Sequence, residues 1–184
     1  EGQIIQMIDL NKIAWHAGKS KWKKYINLNK NSIGIELVNR GHRYGYQSFS
    51  KIQISQLINL CKILKKKFKI KSSFILGHSD IAPLRKIDPG EKFPWVKLSR
   101  KGIGIKLPKI KKKREIKTKN SSRKIFFKNL HKIGYRYFSL TKILRTDKSV
   151  VKAFQRRFLQ NNVSGKIDQK TLNLSHFLSV NDKN

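Results

Sequence analysis

Ser73-Phe74-Ile75-Leu76-Gly77-His78-Ser79-Asp80-Ile81-Ala82-Pro83-Leu84-Arg85-Lys86-Ile87-Asp88-Pro89-Gly90 is the stretch on which the fold reading turns. Its first five residues read as a short buried strand that delivers His78 at its end. The remainder gathers Asp80, Arg85, Lys86 and Asp88 in one polar loop closed by Pro89-Gly90. Asp-Pro-Gly is strong turn chemistry and can present Asp88 on a loop rim. An imidazole and a carboxylate ten residues apart can meet at one metal if the chain loops back, and both suit zinc. Lys86 stands where a cation could face a developing oxyanion. The same residues also fit a polar surface loop with a helix cap, and both readings stand on spacing alone.

Outward from there, Ser50 with Gln53 three residues on is a capping box. Ile54, Leu57, Ile58, Cys61, Leu64 and Phe68 then recur at helical spacing, with Lys62, Lys65, Lys66 and Lys67 on the remainder. Residues 3–8 and 32–39 read as strands. Apolar residues on both parities of 32–39 predict two-sided burial, which makes a carboxylate at Glu36 costly unless it is paired or faces a cleft. Trp15 and His16, ahead of Gly18, fit the rim of a polar cleft; a core Trp15 beside an exposed His16 fits as well. Strand, helix and strand with a ligand at the strand end define an α/β arrangement. Phe93-Pro94-Trp95 opens a short helix.

The chain changes character after residue 105. Residues 106–122 are charged and polar, a basic linker. Residues 123–184 carry apolar stripes for three short helices: Phe126, Leu130, Ile133 and Tyr137, then Val150, Val151, Phe154, Phe158 and Leu159, with Asp168 capping a last helix. The expected domains are therefore 1–105, the linker 106–122, and a helical domain 123–184.

Composition bounds the rest. The 184 residues hold 43 Lys+Arg against 10 Asp+Glu, a net charge of +33, and 38% hydrophobic residues. That is enough apolar material for a core. The charge implies an anionic partner, or a genome whose A/T-rich codons favour Lys, Asn and Ile. Stacking residues do not interleave with the Lys runs, so no specific nucleic acid is expected as partner. The single cysteine, Cys61, excludes an intramolecular disulfide and a Cys-based zinc cluster. No apolar run approaches the ~20 residues of a membrane span.

The motifs Ala14-Trp15-His16-Ala17-Gly18, Asn31-Ser32-Ile33-Gly34-Ile35-Glu36-Leu37, Gly77-His78-Ser79-Asp80-Ile81-Ala82-Pro83, Arg85-Lys86-Ile87-Asp88-Pro89-Gly90 and Phe93-Pro94-Trp95 follow in an order that resembles the type-2 N-acetylmuramoyl-L-alanine amidases, with spacing like that of their AmiD branch. Val151-Lys-Ala-Phe-Gln-Arg-Arg-Phe and Gly165-Lys-Ile-Asp-Gln-Lys-Thr are similar to the three-helix peptidoglycan-binding domain that often follows such a catalytic domain. The resemblance implies a mixed sheet flanked by helices, a Zn2+ cofactor, and hydrolysis of the amide between N-acetylmuramic acid and L-Ala of the stem peptide. Peptidoglycan or muropeptides would be the partners. His78 and Asp88 would be zinc ligands, Glu36 the general base, Lys86 the oxyanion stabiliser, and Trp15, His16 and Arg85 would lie along the substrate groove. It also implies a periplasmic or outer-membrane-associated site of action, with a cytoplasmic one as the alternative. The family's third ligand is a His on an early strand, and residues 1–13 contain no His. The chain is therefore expected to be N-terminally truncated or eroded and to hold zinc weakly, with a non-catalytic peptidoglycan-binding relic as the alternative function.

Overall fold

The computed structural model describes residues 2–107 and 121–181. Most of the expected linker lies outside these residues. Six helices and one two-stranded ribbon make up the regular structure: β1 (Lys21–Trp22), β2 (Tyr25–Ile26), α1 (Lys51–Phe68), α2 (His78–Ile81), α3 (Trp95–Arg100), α4 (Ser122–Ile133), α5 (Asp147–Phe158) and α6 (Gln169–Asn181). The α/β class holds, and the helices carry nearly all of it.

The capping box at the head of α1 forms as its residues predict. Ser50 Oγ accepts from Gln53 N at 3.1 Å and Gln53 Oε1 accepts from Ser50 N at 3.0 Å. Ile54, Leu57, Ile58 and Cys61 pack against Phe93, Trp95, Leu98 and Ile103, and Leu64 is buried on the same face. Lys62, Lys66 and Lys67 are exposed. At the head of α6, Asp168 Oδ1 accepts from Thr171 N at 2.7 Å, the expected cap.

The three expected strands are corrections. Residues 3–8 carry no ladder, and Ile5 and Met7 stand 71% and 88% exposed. Residues 32–39 are irregular, with Glu36 exposed and Val38 89% exposed, so the predicted two-sided burial is absent. Residues 72–74 form a 3-10 turn, and only then does the chain extend into Gly77. A strand exists through its neighbour's hydrogen bonds, and these stretches find no such neighbour among the described residues. Ile75 keeps extended dihedrals all the same, with φ −93 and ψ 109. The ladder that does form, β1 against β2, pairs Lys21 with Ile26 and Trp22 with Tyr25 in an antiparallel hairpin.

The larger hydrophobic cluster draws on both halves of the chain. Phe126, Phe127, Leu130, Tyr135, Val150 and Phe154, each 0% exposed, meet Trp22, Ile81 and Ala82. Trp22 stacks edge-on against Tyr135 with ring centroids 4.9 Å apart. Gly134, at φ +140, makes this possible: a Cβ there would stand 2.5 Å from the Trp22 ring. Burying one such aromatic side chain contributes roughly 1.5–3 kcal/mol.

Candidate active site

The loop 77–90 folds back on itself. Ser79 N donates to Asp88 O at 2.9 Å, and Gly77 approaches Pro89 so closely that a Cβ would fall 2.8 Å from the proline ring. This return brings His78 Nδ1 to 3.1 Å from Asp88 Oδ2. His78 opens the four-residue helix α2 and does not end a strand. Its side chain is 15% exposed, whereas that of Asp88 is 55% exposed. Burial pushes the Asp88 carboxyl up, but the His78 hydrogen bond and charge, a backbone N–H and Lys86 outweigh it and hold it below the usual carboxylate range.

These two side chains lie on the wall of a cleft of about 880 Å³. Glu36, Lys86 and His16 line the same cleft, so the structure gathers five of the seven sequence-derived site residues there. His16 Nε2 sits 2.9 Å from Ser32 Oγ and Nδ1 2.9 Å from Ala14 O. Trp15 is outside the core, 89% exposed. Arg85 is spent on backbone: its guanidinium donates to the carbonyls of Ala17 and Lys19 and lies 3.4 Å from His78 Nε2. It therefore braces the Ala17–Lys19 loop beside His78.

Sequence reasoning put Asp80 in the polar loop but missed its burial and its partners underneath. Asp80 is 1% exposed; its Oδ2 accepts from Gly77 N at 2.7 Å and from Arg157 Nη1, and its Oδ1 accepts from Tyr135 Oη at 2.5 Å. Burial, and then the Asp80 charge, push the Tyr135 phenol well above its ordinary value, so it stays a proton donor. The signal was present: Arg157 falls on the apolar stripe of α5 with Val150 and Phe154, and a cation there requires a buried acceptor. Asn29 was also missed; its Oδ1 accepts from Ala17 N at 2.7 Å and shapes the loop before Gly18.

Catalytic zinc sites carry three protein ligands. Among the described residues no group of three or more His, Cys, Asp or Glu could hold a metal ion. His78 and Asp88 are two donors in contact, and the described residues do not complete a catalytic zinc site around them.

A loop-borne His–Asp pair on a cleft beside a lysine and a glutamate, on this helical α/β frame, places the chain among known proteins. The sequence profile of the N-acetylmuramoyl-L-alanine amidases matches residues 1–91. The solved complex of the amidase AmiD from Escherichia coli with anhydro-N-acetylmuramic acid-L-Ala-D-γ-Glu-L-Lys superposes with a TM-score of 0.83 at 33% identity, covering 96% of this chain and 72% of that one. The chain belongs to this amidase family. AmpDh3 from Pseudomonas aeruginosa is similar too, with a TM-score of 0.86 at 29% identity over 99% of this chain and 74% of that one. In sequence, AmiD of E. coli K12 is 43% identical over 107 residues, 55% of this chain and 39% of its own length. The 1,6-anhydro-N-acetylmuramyl-L-alanine amidase AmpD of Haemophilus influenzae is 40% identical over 95 residues, 51% of this chain and 50% of its own length. In sequence, then, the match spans about half or less of each of these relatives.

Proposed function

We propose that the protein acts on peptidoglycan-derived muropeptides as an N-acetylmuramoyl-L-alanine amidase, hydrolysing the amide between N-acetylmuramic acid and the L-Ala of the stem peptide in cell-wall turnover or recycling. The observation that carries this reading is the likeness, over 96% of the chain, to an amidase solved with a muramyl peptide bound. The cleft volume of about 880 Å³ suits a ligand of that size. In this reading Glu36 transfers the proton between water and the leaving amine, and Lys86 stabilises the oxyanion of the tetrahedral intermediate. His16 and Trp15 contact the substrate along the rim. His78 and Asp88 contribute to a zinc site that needs a further donor beyond the described residues. Residues 123–184 serve as a peptidoglycan-binding segment.

A second reading, muropeptide binding without hydrolysis, is favoured by the donor count of two. Incubation with an anhydro-muramyl tripeptide and added Zn2+, followed by mass spectrometry, separates the two. Chelator-sensitive release of free tripeptide, lowered about a hundredfold or more by Glu36→Gln or Asp88→Ala, supports the hydrolase. Binding of the intact muropeptide without release supports the second reading. Neither binding nor release would sink both.

A further inference from the structure

The loop that carries His78 and Asp88 is held at both ends by the C-terminal helical segment. On the entry side, Arg157 Nη2 donates to Ile75 O at 2.8 Å while its Nη1 donates to Asp80, whose Oδ2 in turn accepts the Gly77 N–H. Tyr135 Oη fixes the other oxygen of Asp80. The Arg157 guanidinium also lies over the Trp95 ring, 4.0 Å from its centroid. On the exit side, Gln160 Nε2 donates to Glu91 O and to Phe93 O, each at 2.6 Å. The Arg157 and Asp80 side chains are 3% and 1% exposed, so the bond between them is shielded from competing water.

We infer that Tyr135, Arg157 and Gln160 are positioning residues for the His78–Asp88 pair, and that the C-terminal segment is a structural part of the site as well as whatever it binds. A strand ladder would ordinarily fix the dihedrals ahead of such a loop; here Ile75 and Gly77 are extended with no ladder partner among the described residues. The fork of Arg157 and the carboxylate of Asp80 take over that task by pinning Ile75 O and Gly77 N–H. Gln160 does the same for the two carbonyls just after the Asp88-Pro89-Gly90 turn. The inference depends on the hydrolase reading only for what the pair does to a substrate, not for how it is held.

The test uses the intact chain and the variants Gln160→Leu, Tyr135→Phe and Arg157→Lys, well below their melting temperatures. Amide exchange by NMR should quicken roughly tenfold at Gly77 and Ser79 relative to Leu130 and Val151 in the helical core. On an anhydro-muramyl tripeptide, kcat should fall about tenfold with KM unchanged, because a displaced pair is misaligned for the reaction and not for binding. Exchange that is unchanged at Gly77 and Ser79, or that quickens uniformly through the core, overturns the inference. So does an active variant with local loosening but wild-type kcat and KM. A wild-type chain that cuts nothing counts against the hydrolase reading, and the exchange pattern then decides this one. Should Arg157→Lys fail to fold, Gln160→Leu, which touches no buried charge, carries the same comparison.

Discussion

The two halves of the molecule are built to different standards. In residues 121–181, Phe126, Phe127, Leu130, Tyr135 and Phe154 are fully enclosed. In residues 2–107, Ile5, Met7, Trp15 and Val38 stand between 71% and 89% exposed, and the segments that border the cleft have no ladder among the described residues. The residues proposed for the chemistry all lie in the looser half. The order they show is supplied where the two halves touch: through Trp22 against Tyr135, Asp80 against Arg157, and Gln160 against the backbone after Asp88. A loop can be exact without a sheet behind it if its carbonyls and amides are bonded to a packed neighbour.

This contrast can be broken first at the core. Phe154→Ala removes a fully buried ring from the shared cluster and should cost about 3–5 kcal/mol. Denaturant unfolding followed by tryptophan fluorescence, which reports Trp22 and Trp95, should shift together with the far-ultraviolet helical signal. Two separate transitions would show the halves to be independent. Next, Arg157→Met strips Asp80 of its cation and should cost about 3 kcal/mol, as is usual when one partner of a buried pair is lost. A loss within 0.5 kcal/mol would mean that Tyr135 and Gly77 satisfy the carboxylate alone.

Ser50→Ala should cost about 1 kcal/mol, since it removes one side of the capping box on α1 while leaving the contact between halves untouched. Its unfolding should stay cooperative. A smaller effect comes from acid. Burial pushes Glu91 up, but a backbone N–H, the His42 hydrogen bond and charge, and Arg156 hold it below the usual carboxylate range. A carboxylate lowered by folding contributes stability that is present above its unfolded value and lost as the pH falls through its folded value. The melting temperature should therefore decline on acidification through that window, and less steeply in Glu91→Gln. Least visible is Cys61, whose thiol burial pushes up to about 11. It should resist alkylation near neutral pH in the folded chain and react readily in denaturant; rapid labelling of the native protein would show that the core beneath α1 opens easily.

Much of this was legible in the residues. The Ser50–Gln53 box, the apolar stripe of α1 and the Asp168 cap are local devices, readable within a few positions, and they form, the stripe as far as Leu64, with Phe68 at the helix end left exposed. Family motifs brought His78 and Asp88 forward, and the fold sets them side by side. The strands were misread because alternation and β-branching report a preference for extended backbone, whereas a strand also requires a partner. Burial at Glu36 failed for the same reason. Asp80 and Arg157 are 77 residues apart, and nothing local to either identifies the other, although a cation on the α5 stripe demanded some buried acceptor.

Trp15 gives the molecule a built-in optical reporter. Trp22 and Trp95 are 1% and 6% exposed, so their emission belongs to the interior, whereas Trp15 at 89% meets water and any soluble quencher directly. It directly precedes His16, which lines the cleft, so a muramyl peptide reaching over that rim would shade one indole out of three. Iodide quenching with and without ligand would then register occupancy without a label and without turnover.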